Sequence, residues 1–322
     1  MPIRFFTAGI ALAAVLAPLS SRAVAYPISP ATLWQLVEEA HLIVVAHVDD
    51  VSENVARLRV LETWKGASAA VVEVEFMVFI CPAPARYERG EVVLAFLERG
   101  PRGRVQAGRY STLHMSYGTL YPRATDRAVF RARVAEALDA QSDPQRAARR
   151  KRAWLIRCGE RRATRWQGLY ELAAAADELH VDYDSSSRRK ETWSLTEAEQ
   201  ETLRRGFVEE PSGDHTIAMV LALAAVPSGS AFEEAVLGQL ERALQDEQVW
   251  YWLPGCLARV LEGRGARDGL RELGLSRHDY EVDARRLRAA WVRARSRFGV
   301  PTVPAAMVPP EEQWGVGSRT PE

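Results

Sequence analysis

The chain has 322 residues, of which 47% are hydrophobic and 26% are charged, and this length is enough for two ordinary domains with separate cores. Its 42 basic and 42 acidic residues give a net charge of zero, so the overall charge of the protein does not favour nucleic acid or an anionic membrane as the partner. We therefore expect a globular protein that does not bind nucleic acid.

The first 25 residues have the pattern of a secretory signal peptide. Arg4 supplies the positive charge, residues 5–19 form an apolar run too short to span a bilayer comfortably, and residues 23–25 give the Ala-Val-Ala cleavage pattern. We expect cleavage after Ala25 and a periplasmic or extracellular location; an uncleaved anchor helix is the alternative. No later segment approaches about 18 consecutive apolar residues, so no transmembrane segment is expected after cleavage.

A short helix and five strands are predicted between residues 30 and 112. Apolar residues recur at helical spacing in residues 30–40, after which their period changes to two. The segments with this second period, which we predict as strands, are residues 42–49, 56–60, 72–80, 91–98 and 104–112. Pro82 and Pro84 end the third strand because proline cannot donate a hydrogen bond to a neighbouring strand. One helix and five strands in about a hundred residues are typical of a closed Greek-key barrel.

The stretch from residue 70 to residue 97 lies at the centre of this predicted barrel. Two strand-like runs, VVEVEFMVFI and EVVLAFLE, flank the loop CPAPARYERG. Glu73 and Glu75 alternate with the apolar residues of the first run, and Arg57 and Arg59 do the same in the preceding strand. We expect these four side chains to form cross-strand ion pairs on the solvated face.

A family resemblance rests on the order of these segments. The succession VVAHV, LRVLETWKG, VEVEF and CPAPARYERGEVVLAFLERG resembles the OB-like barrels of netrin-type and tissue-metalloproteinase-inhibitor-type domains, which occur in many exported bacterial proteins. It covers residues 30–121 and implies an OB-like fold. Inhibitors of that type chelate the protease zinc with an N-terminal cysteine. The predicted mature terminus here is Tyr26 and the nearest cysteine is Cys81, so the resemblance implies no inhibitory role.

Helical periodicity replaces the strand pattern after residue 125. We predict that residues 126–141 form a helical linker and that residues 142–299 form an all-α domain. Residues that can cap helix starts recur in this region, at Ser142, at Thr164, at Thr196 with Glu199, and at Ser230 with Glu233. Short antiparallel helices joined by short loops favour stacked helix pairs of the HEAT or armadillo kind, with a compact α-bundle as the alternative.

The end of the chain completes the predicted architecture. The sequence GLRELGLSRHDYEVDARRLRAAWVRARSRFG resembles the last unit of bacterial HEAT-like domains. Pro301, Pro304, Pro309 and Pro310 follow Gly299, and they predict a disordered tail over residues 300–322. The fold prediction is therefore an α+β multidomain protein: a signal peptide (1–25), an OB-like β-barrel (26–125), the helical linker, a HEAT-like α-helical domain and the tail.

The three cysteines bear on export. Cys158 and Cys256 both belong to the predicted helical domain, whereas Cys81 lies alone in the proline loop of the barrel. Since an exported chain meets oxidising conditions, a disulfide is possible, and if one forms Cys158–Cys256 is the favoured pairing because it needs no contact across the domain junction. The alternative is that each is a free cysteine packed on an apolar helix face.

No catalytic constellation, cofactor site or metal site is predicted. Ser187 and Lys190 have Ser-x-x-Lys spacing, and residues 182–186 alternate oxygen-bearing side chains as a calcium loop does. Both lie in a charged connector, and the second lacks the required glycine and glutamate, so a solvated loop is favoured. The six histidines do not have His-Glu-x-x-His spacing. The basic run 146–152 could bind an anionic surface, but it has no interleaved aromatic residues, which favours a solvated helix face.

Two classes of function are consistent with these patterns. The favoured class is an exported non-enzymatic binding or scaffold protein that meets an unidentified protein partner through the barrel and the helical-repeat surfaces, without a cofactor. The alternative is a periplasmic hydrolase or metal-dependent enzyme whose site lies between the two domains, built from residues such as His114, His180 and Asp182. A cleft with several titratable groups would favour the enzyme, and an open apolar groove would favour binding.

Overall fold

The structure is a computed structural model, and it describes residues 30–76, 85–99, 109–143, 145–173, 193–276 and 282–306. A closed five-stranded barrel forms its N-terminal part and helices form its C-terminal part, which confirms the predicted α+β two-domain architecture. The predicted signal peptide, Cys81, and the connector that holds His180, Asp182 and Ser187 lie outside the described residues.

The elements differ from the predicted segments mainly at their ends. In the barrel part they are α1 (Leu33–Glu39), β1 (Leu42–Ser52), β2 (Val55–Lys65), β3 (Val71–Glu75), β4 (Val92–Arg99), β5 (Tyr110–Thr112) and β6 (Thr119–Leu120). The helices that follow are α2 (Arg127–Gln141), α3 (Ala147–Glu160), α4 (Arg165–Leu172), α5 (Glu197–Glu209), α6 (Thr216–Leu223), α7 (Ala231–Ala243), α8 (Leu253–Gly263), α9 (Gly269–Glu272) and α10 (Ala284–Arg297).

The barrel closes through pairing between its first and fourth strands. β1 pairs antiparallel with β2 and with β4, β2 pairs with β3, and β3 runs parallel to β5, which returns to β4. β5 pairs near the end of β4, with Leu97 opposite Thr112, and β6 pairs further back, with Leu94 opposite Leu120. β5 and β6 therefore follow one strand path along β4, which the 3₁₀ turn Met115–Gly118 interrupts.

The strands β1 and β4 are buried on both faces, which explains their nearly continuous apolar sequences. In β1, Val44 and Ala46 point into the barrel, whereas Ile43 and Val45 belong to the apolar cluster of the helices. In β4, Phe96 belongs to that same cluster. The alternation of residues predicted that the second face of β1 is mixed in polarity. In the structure, the first half of that face is buried against the helices.

The ion pairs on the barrel surface are not the ones expected from the sequence. Arg57 does lie opposite Glu73 in the register of β2 and β3. The carboxylates of Glu73 and Glu75, however, accept hydrogen bonds from Arg109, at 2.8 and 3.2 Å. Arg59 donates instead to Asp49 on β1, at 3.2 Å. The prediction missed these partners because β3 pairs with β5 and β2 pairs with β1.

The helices α1 and α2 pack against each other although the whole barrel lies between them in the sequence. The buried side chains of α1 and the buried Phe130 and Val134 of α2 lie in the same apolar cluster as α3 and α4. The segment 126–141, which we predicted as a helical linker, is helical over Arg127–Gln141 and packs against α1. The barrel is inserted between two helices that together cover one end of the helical part.

The helices from α3 to α8 form two layers. α3 contacts α5 and α5 contacts α7 in one layer, while α4 contacts α6 and α6 contacts α8 in the other. α10 closes the far end, where it contacts α8 and where the indole of Trp291 donates to Glu241 of α7 at 2.9 Å. Among the helices that the structure describes, none is both long enough and apolar enough to cross a membrane.

The predicted helix caps agree with the structure in part. Thr196 and Glu199 form a capping box at the start of α5, and the Ser230 hydroxyl accepts the Glu233 N–H at the start of α7. Ser142 does not begin a helix: it ends α2, and its hydroxyl donates to the Asp139 carbonyl at 2.7 Å. Because α2 runs through Gln141, the Ser142 hydroxyl lies beside the free carbonyls at the C-terminal end of α2. It is therefore not placed to accept the free N–H groups at the start of α3.

The described part of the predicted disordered tail is packed. Val300 is buried, and the Ala306 N–H donates to the Gly238 carbonyl of α7 at 2.8 Å. A β-carbon at Gly238 would lie 3.5 Å from the Pro304 carbonyl oxygen, so this segment lies in ordinary contact with α7. Residues 300–306 consequently correct the predicted start of the tail; residues 307–322 lie outside the described range.

Candidate binding cleft

A cleft of about 390 Å³ lies where the corners of several helices meet. Its walls are the start of α2, the corner between α3 and α4, the corner between α5 and α6, and one residue of α7. The lining residues are Thr125, Asp126, Val129, Arg161, Arg162, Ala163, Glu209, Glu210, Pro211 and Gln239. A concave space of this size is in the range of small-ligand and side-chain pockets.

The buried side chain of Arg165 holds the two corners together. Its Nε donates to the Gly159 carbonyl at 3.1 Å, one terminal nitrogen donates to the Ser212 hydroxyl at 2.9 Å, and the other donates to the Gly206 carbonyl at 3.0 Å. The guanidinium carbon also lies 5.1 Å from the centre of the Phe207 ring. Burial lowers the pKa of Arg165 to about 10, so the group is still charged at neutral pH.

An ion pair crosses the cleft wall between the same two corners. A terminal nitrogen of Arg161 lies 2.5 Å from Glu210, and the other carboxylate oxygen of Glu210 accepts the backbone N–H of Arg162 at 2.8 Å. Both side chains are partly exposed, so the pair contributes little to stability. Its main consequence is that the Arg161 and Glu210 charges neutralise each other.

The carboxylates of Asp126 and Glu209 form no salt bridge within the described part of the chain, although the charge of Glu209 helps to raise the pKa of Arg205. Asp126 flanks the start of α2 and accepts one long hydrogen bond, from the Thr125 hydroxyl at 3.5 Å. Glu209 is exposed and is the last residue of α5. The two helices α3 and α5 both end at the cleft, and the C-terminal end of a helix is the negative end of its dipole.

The amide oxygen of Gln239 is buried without a hydrogen-bond partner among the described residues. Gln239 is 2% exposed, and its Oε1 makes no hydrogen bond within the part of the chain that the structure describes. An unsatisfied buried polar group costs about 1–3 kcal/mol, so proteins rarely retain one without a reason. Gln239 also lines the cleft, and its Oε1 lies close to Gly213 and the guanidinium of Arg242.

Cys158 and Cys256, the two cysteines of the possible disulfide, are free thiols in the structure. Cys158 lies on α3 and Cys256 lies on α8, and both side chains are fully buried in the apolar cluster. Burial raises the pKa of both thiols. This arrangement matches the alternative reading, in which each cysteine is a small core residue.

His114 is the one residue of the predicted interdomain enzyme site that lies within the described range. It has a left-handed backbone, with φ of 48°, and its Nε2 lies 2.8 Å from the Glu39 carboxylate at the end of α1. In the adjoining 3₁₀ turn, Tyr117 stacks on Trp166 of α4 with an interplanar angle of 3°. His114 therefore lies between β5 and β6 and contacts the end of α1.

Other predicted chemical motifs do not form a site among the described residues. No group of three histidine, cysteine, aspartate or glutamate side chains is placed to hold a metal ion there. The basic run at the start of α3 is engaged in ion pairs, namely Arg146 with Asp143, Arg150 with Asp139, Lys151 with Glu171 and Arg152 with Glu199. These contacts agree with a paired, solvated helix face rather than an anion-binding patch.

No protein-family model matches the chain, and comparisons with curated proteins and with solved structures found no match. The cleft was not predicted from the sequence, because its residues come from four separate segments. One local signal was available. Gln239 is a polar residue between Leu237 and Leu240, in a part of α7 where the neighbouring side chains are apolar and buried.

Proposed function

We propose that this chain is an exported non-enzymatic binding or scaffold protein that recognises a partner polypeptide at the cleft between its helix corners. In this proposal the helices form a HEAT-like stack, and an OB-like barrel of the netrin and metalloproteinase-inhibitor type covers one end of it. The two-layer order of α3 to α8 supports the first part, and the strand order β1-β2-β3-β5-β4 supports the second.

The observation that carries this proposal is the composition of the cleft. It combines charged groups, apolar residues such as Val129 and Pro211, and the unsatisfied amide oxygen of Gln239. The described residues that line it include no histidine, cysteine or lysine, and its one hydroxyl, that of Thr125, has no adjacent imidazole or amine base. Several titratable groups do meet here, but nucleophilic catalysis needs an activated nucleophile beside a base.

A peptide-display selection against the full chain tests the proposal without a known partner. Peptides selected for binding are then measured against Ala163→Trp, whose larger side chain would fill the mouth of the cleft. We expect selected peptides to lose binding to this variant while its thermal unfolding stays cooperative. Arg285→Trp, at an exposed position on α10, is the matched control and should keep binding. Selected peptides that bind both variants equally would contradict the proposal.

The His114–Glu39 pair supports a hydrolase as the second candidate. A histidine held by a carboxylate at 2.8 Å is a usual arrangement for a general base, and the left-handed backbone of His114 is a form of local strain found at functional sites. The test is a panel of ester, peptide and phosphoester substrates with the full chain and with His114→Ala. Hydrolysis that His114→Ala abolishes would favour this candidate over the binding protein.

A further inference from the structure

We propose that the outer face of α10 is a second interaction surface, which binds an acidic helical segment of a partner polypeptide. This face does not include any residue of the cleft, so the inference goes beyond the proposed function. Its residues recur at helical spacing and are all exposed: Arg285, Ala289, Val292, Arg293 and Ser296. We call these five residues the α10 stripe.

The charge of α10 is strongly one-sided. The helix contains six arginines and no acidic residue, although the net charge of the whole chain is zero. The carboxylate of Asp283, just before the helix, accepts the backbone N–H of Arg286 at 2.7 Å and so serves as its N-terminal cap. A concentration of positive charge on one helix attracts an acidic partner over about a Debye length, which is about 10 Å at 0.1 M salt.

Two arginines at the edges of α10 are already paired within the protein. Arg295 lies 2.7 Å from Glu241 of α7, and Arg297 lies 2.6 Å from Glu272 of α9. The charges of these two arginines are therefore neutralised locally. Their ion pairs attach α10 to the helical part and leave its opposite face toward solvent.

The two arginines of the α10 stripe have no such pairing. The guanidinium groups of Arg285 and Arg293 form no ion pair with any residue that the structure describes. Arg286 and Arg288, which flank the stripe, donate to backbone carbonyls, and these carry no net charge. A guanidinium presents parallel N–H donors that match the two oxygens of a carboxylate. The stripe can therefore bind two carboxylates about 12 Å apart, which is eight residues of helix.

An exposed apolar side chain lies beside these arginines. Val292 is 55% exposed, the largest exposed fraction among the large apolar side chains of the described residues. Its neighbours on the stripe, Ala289 and Ser296, are small, so a second helix can approach α10 closely along this line. α10 also closes the end of the two helical layers, and its outer face is where a further helix of the stack would pack.

These features fit an acidic helix better than a membrane surface. An amphipathic helix that lies on a membrane inserts a broad face of leucine and aromatic side chains into the lipid. In α10 the corresponding side chains, Leu287 and Trp291, are buried in the apolar cluster of the protein, and Val292 alone would contact lipid. A helix with leucines beside its glutamates instead complements both the arginines and the valine.

Titration calorimetry of the full chain with capped peptides tests the inference. The probe is acetyl-(Glu-Leu-Ala-Ala-Glu-Leu-Ala)₂-amide, whose glutamates share one helix face with the leucines beside them. One comparison peptide has lysine at every glutamate position, and a second has the acidic sequence scrambled so that its glutamates point to all sides. We expect saturable binding of the probe that added salt weakens, at least tenfold weaker binding of the scrambled peptide, and none of the lysine peptide.

Single substitutions locate the binding site on α10. Arg293→Gln should weaken binding of the acidic probe about tenfold, because it removes one charge-assisted pair of hydrogen bonds. Arg149→Gln removes the same charge at an exposed position of α3 and is the matched control. Val292→Ser should weaken binding about threefold, whereas Val208→Ser, at an exposed position of α5, should not. Thermal melting should be unchanged in all four variants, because these side chains are exposed.

Several results would overturn the inference. They are the absence of probe binding, equal binding of the scrambled peptide, and equal losses of affinity in Arg293→Gln and Arg149→Gln. Binding to vesicles of phosphatidylcholine and phosphatidylglycerol at three to one, but not to the probe, would assign the face to a membrane instead.

The proposed function has a separate readout. Ala163→Trp fills the cleft and should leave probe binding unchanged. Arg285→Trp should weaken probe binding while peptides selected for the cleft still bind. Failure of one surface is therefore distinguishable from failure of the other.

Discussion

Trp34 of α1 and Trp154 of α3 pack edge to face, with their ring centroids 5.3 Å apart and an interplanar angle of 67°. Both side chains are buried, and the Trp154 indole donates to the Arg133 carbonyl of α2 at 2.8 Å. α1 precedes the barrel in the sequence, whereas α3 belongs to the helical stack. This contact therefore joins the start of the chain's barrel part to the core of its helical part.

Replacing Trp34 by alanine should destabilise the barrel and the helices together. Loss of a buried tryptophan typically costs about 3–5 kcal/mol, since the packing of its large ring is replaced by a cavity. Urea unfolding followed by far-ultraviolet circular dichroism and by tryptophan fluorescence should give coincident transitions, shifted to lower urea. Val292→Ala, at a side chain that is 55% exposed on α10, should change stability by less than about 0.5 kcal/mol.

The sequence by itself predicts that residues 26–133 and 141–299 fold independently. With Trp34 and the rest of α1 in the shared cluster, we expect the fragment 141–299 to lose cooperative unfolding, because the apolar face of α3 is uncovered. Calorimetry of the isolated fragment measures this. A sharp unfolding transition of that fragment would show that the two parts need no common core.

Two glycines in the helical layers should respond in opposite ways to alanine. A β-carbon at Gly206 in α5 would lie 2.3 Å from the Glu160 carbonyl oxygen, so Gly206→Ala must force α5 away from α3 and should cost about 1–3 kcal/mol. At Gly238 in α7 the nearest atom would be 3.5 Å away, an ordinary contact. Gly238→Ala should therefore be neutral or stabilising by up to about 1 kcal/mol, from helix propensity. Urea midpoints measure both changes, and equal effects would contradict the close packing.

The ion pair between Glu199 and Arg152 should make the free energy of unfolding vary with pH in the acidic range. The hydrogen bonds from Arg152 lower the pKa of Glu199 from 4.5 to about 2, with further help from Thr196. Between these two pH values the unfolded chain binds more protons than the folded one, so this stabilisation is complete above pH 4.5 and is lost as the pH falls toward 2.

The variant Glu199→Gln measures that contribution. Because the carboxylate is partly exposed, we expect a loss of about 1–2 kcal/mol at pH 7, which shrinks progressively as the pH falls below 4.5. Glu234→Gln, at an exposed position on α7, is the matched control and should show no such trend. A wild-type to variant difference that stays constant from pH 7 to pH 3 would mean that the ion pair does not contribute.

The thiols of Cys158 and Cys256 should be unreactive in the folded protein. Both are buried and their pKa values are raised by burial, so the reactive thiolate is scarce and inaccessible. We expect neither to react with iodoacetamide at pH 8 until denaturant is added, when peptide mapping should find both alkylated. A disulfide-linked peptide pair that contains residues 158 and 256, found by mapping the denatured protein without reduction, would contradict this expectation.

The sequence determined the local structure of this protein. The change from a period of two to a helical period separates barrel from helices because each period depends on the covalent geometry of neighbouring residues. The capping box of Thr196 and Glu199 was predictable for the same reason, since its partners are three residues apart. Such signals need no knowledge of what packs against the element.

Only the tertiary structure decided which faces of the helices and strands pack against each other. Ile43 and Trp34 are apolar in any reading, but only the packed helices show that they join one core. The cleft depends on long-range contacts such as that of Arg165 with Ser212, which no local pattern encodes. Contacts between residues far apart in the chain are set by the competition of all apolar surfaces for burial, and that competition is resolved only when the whole chain folds.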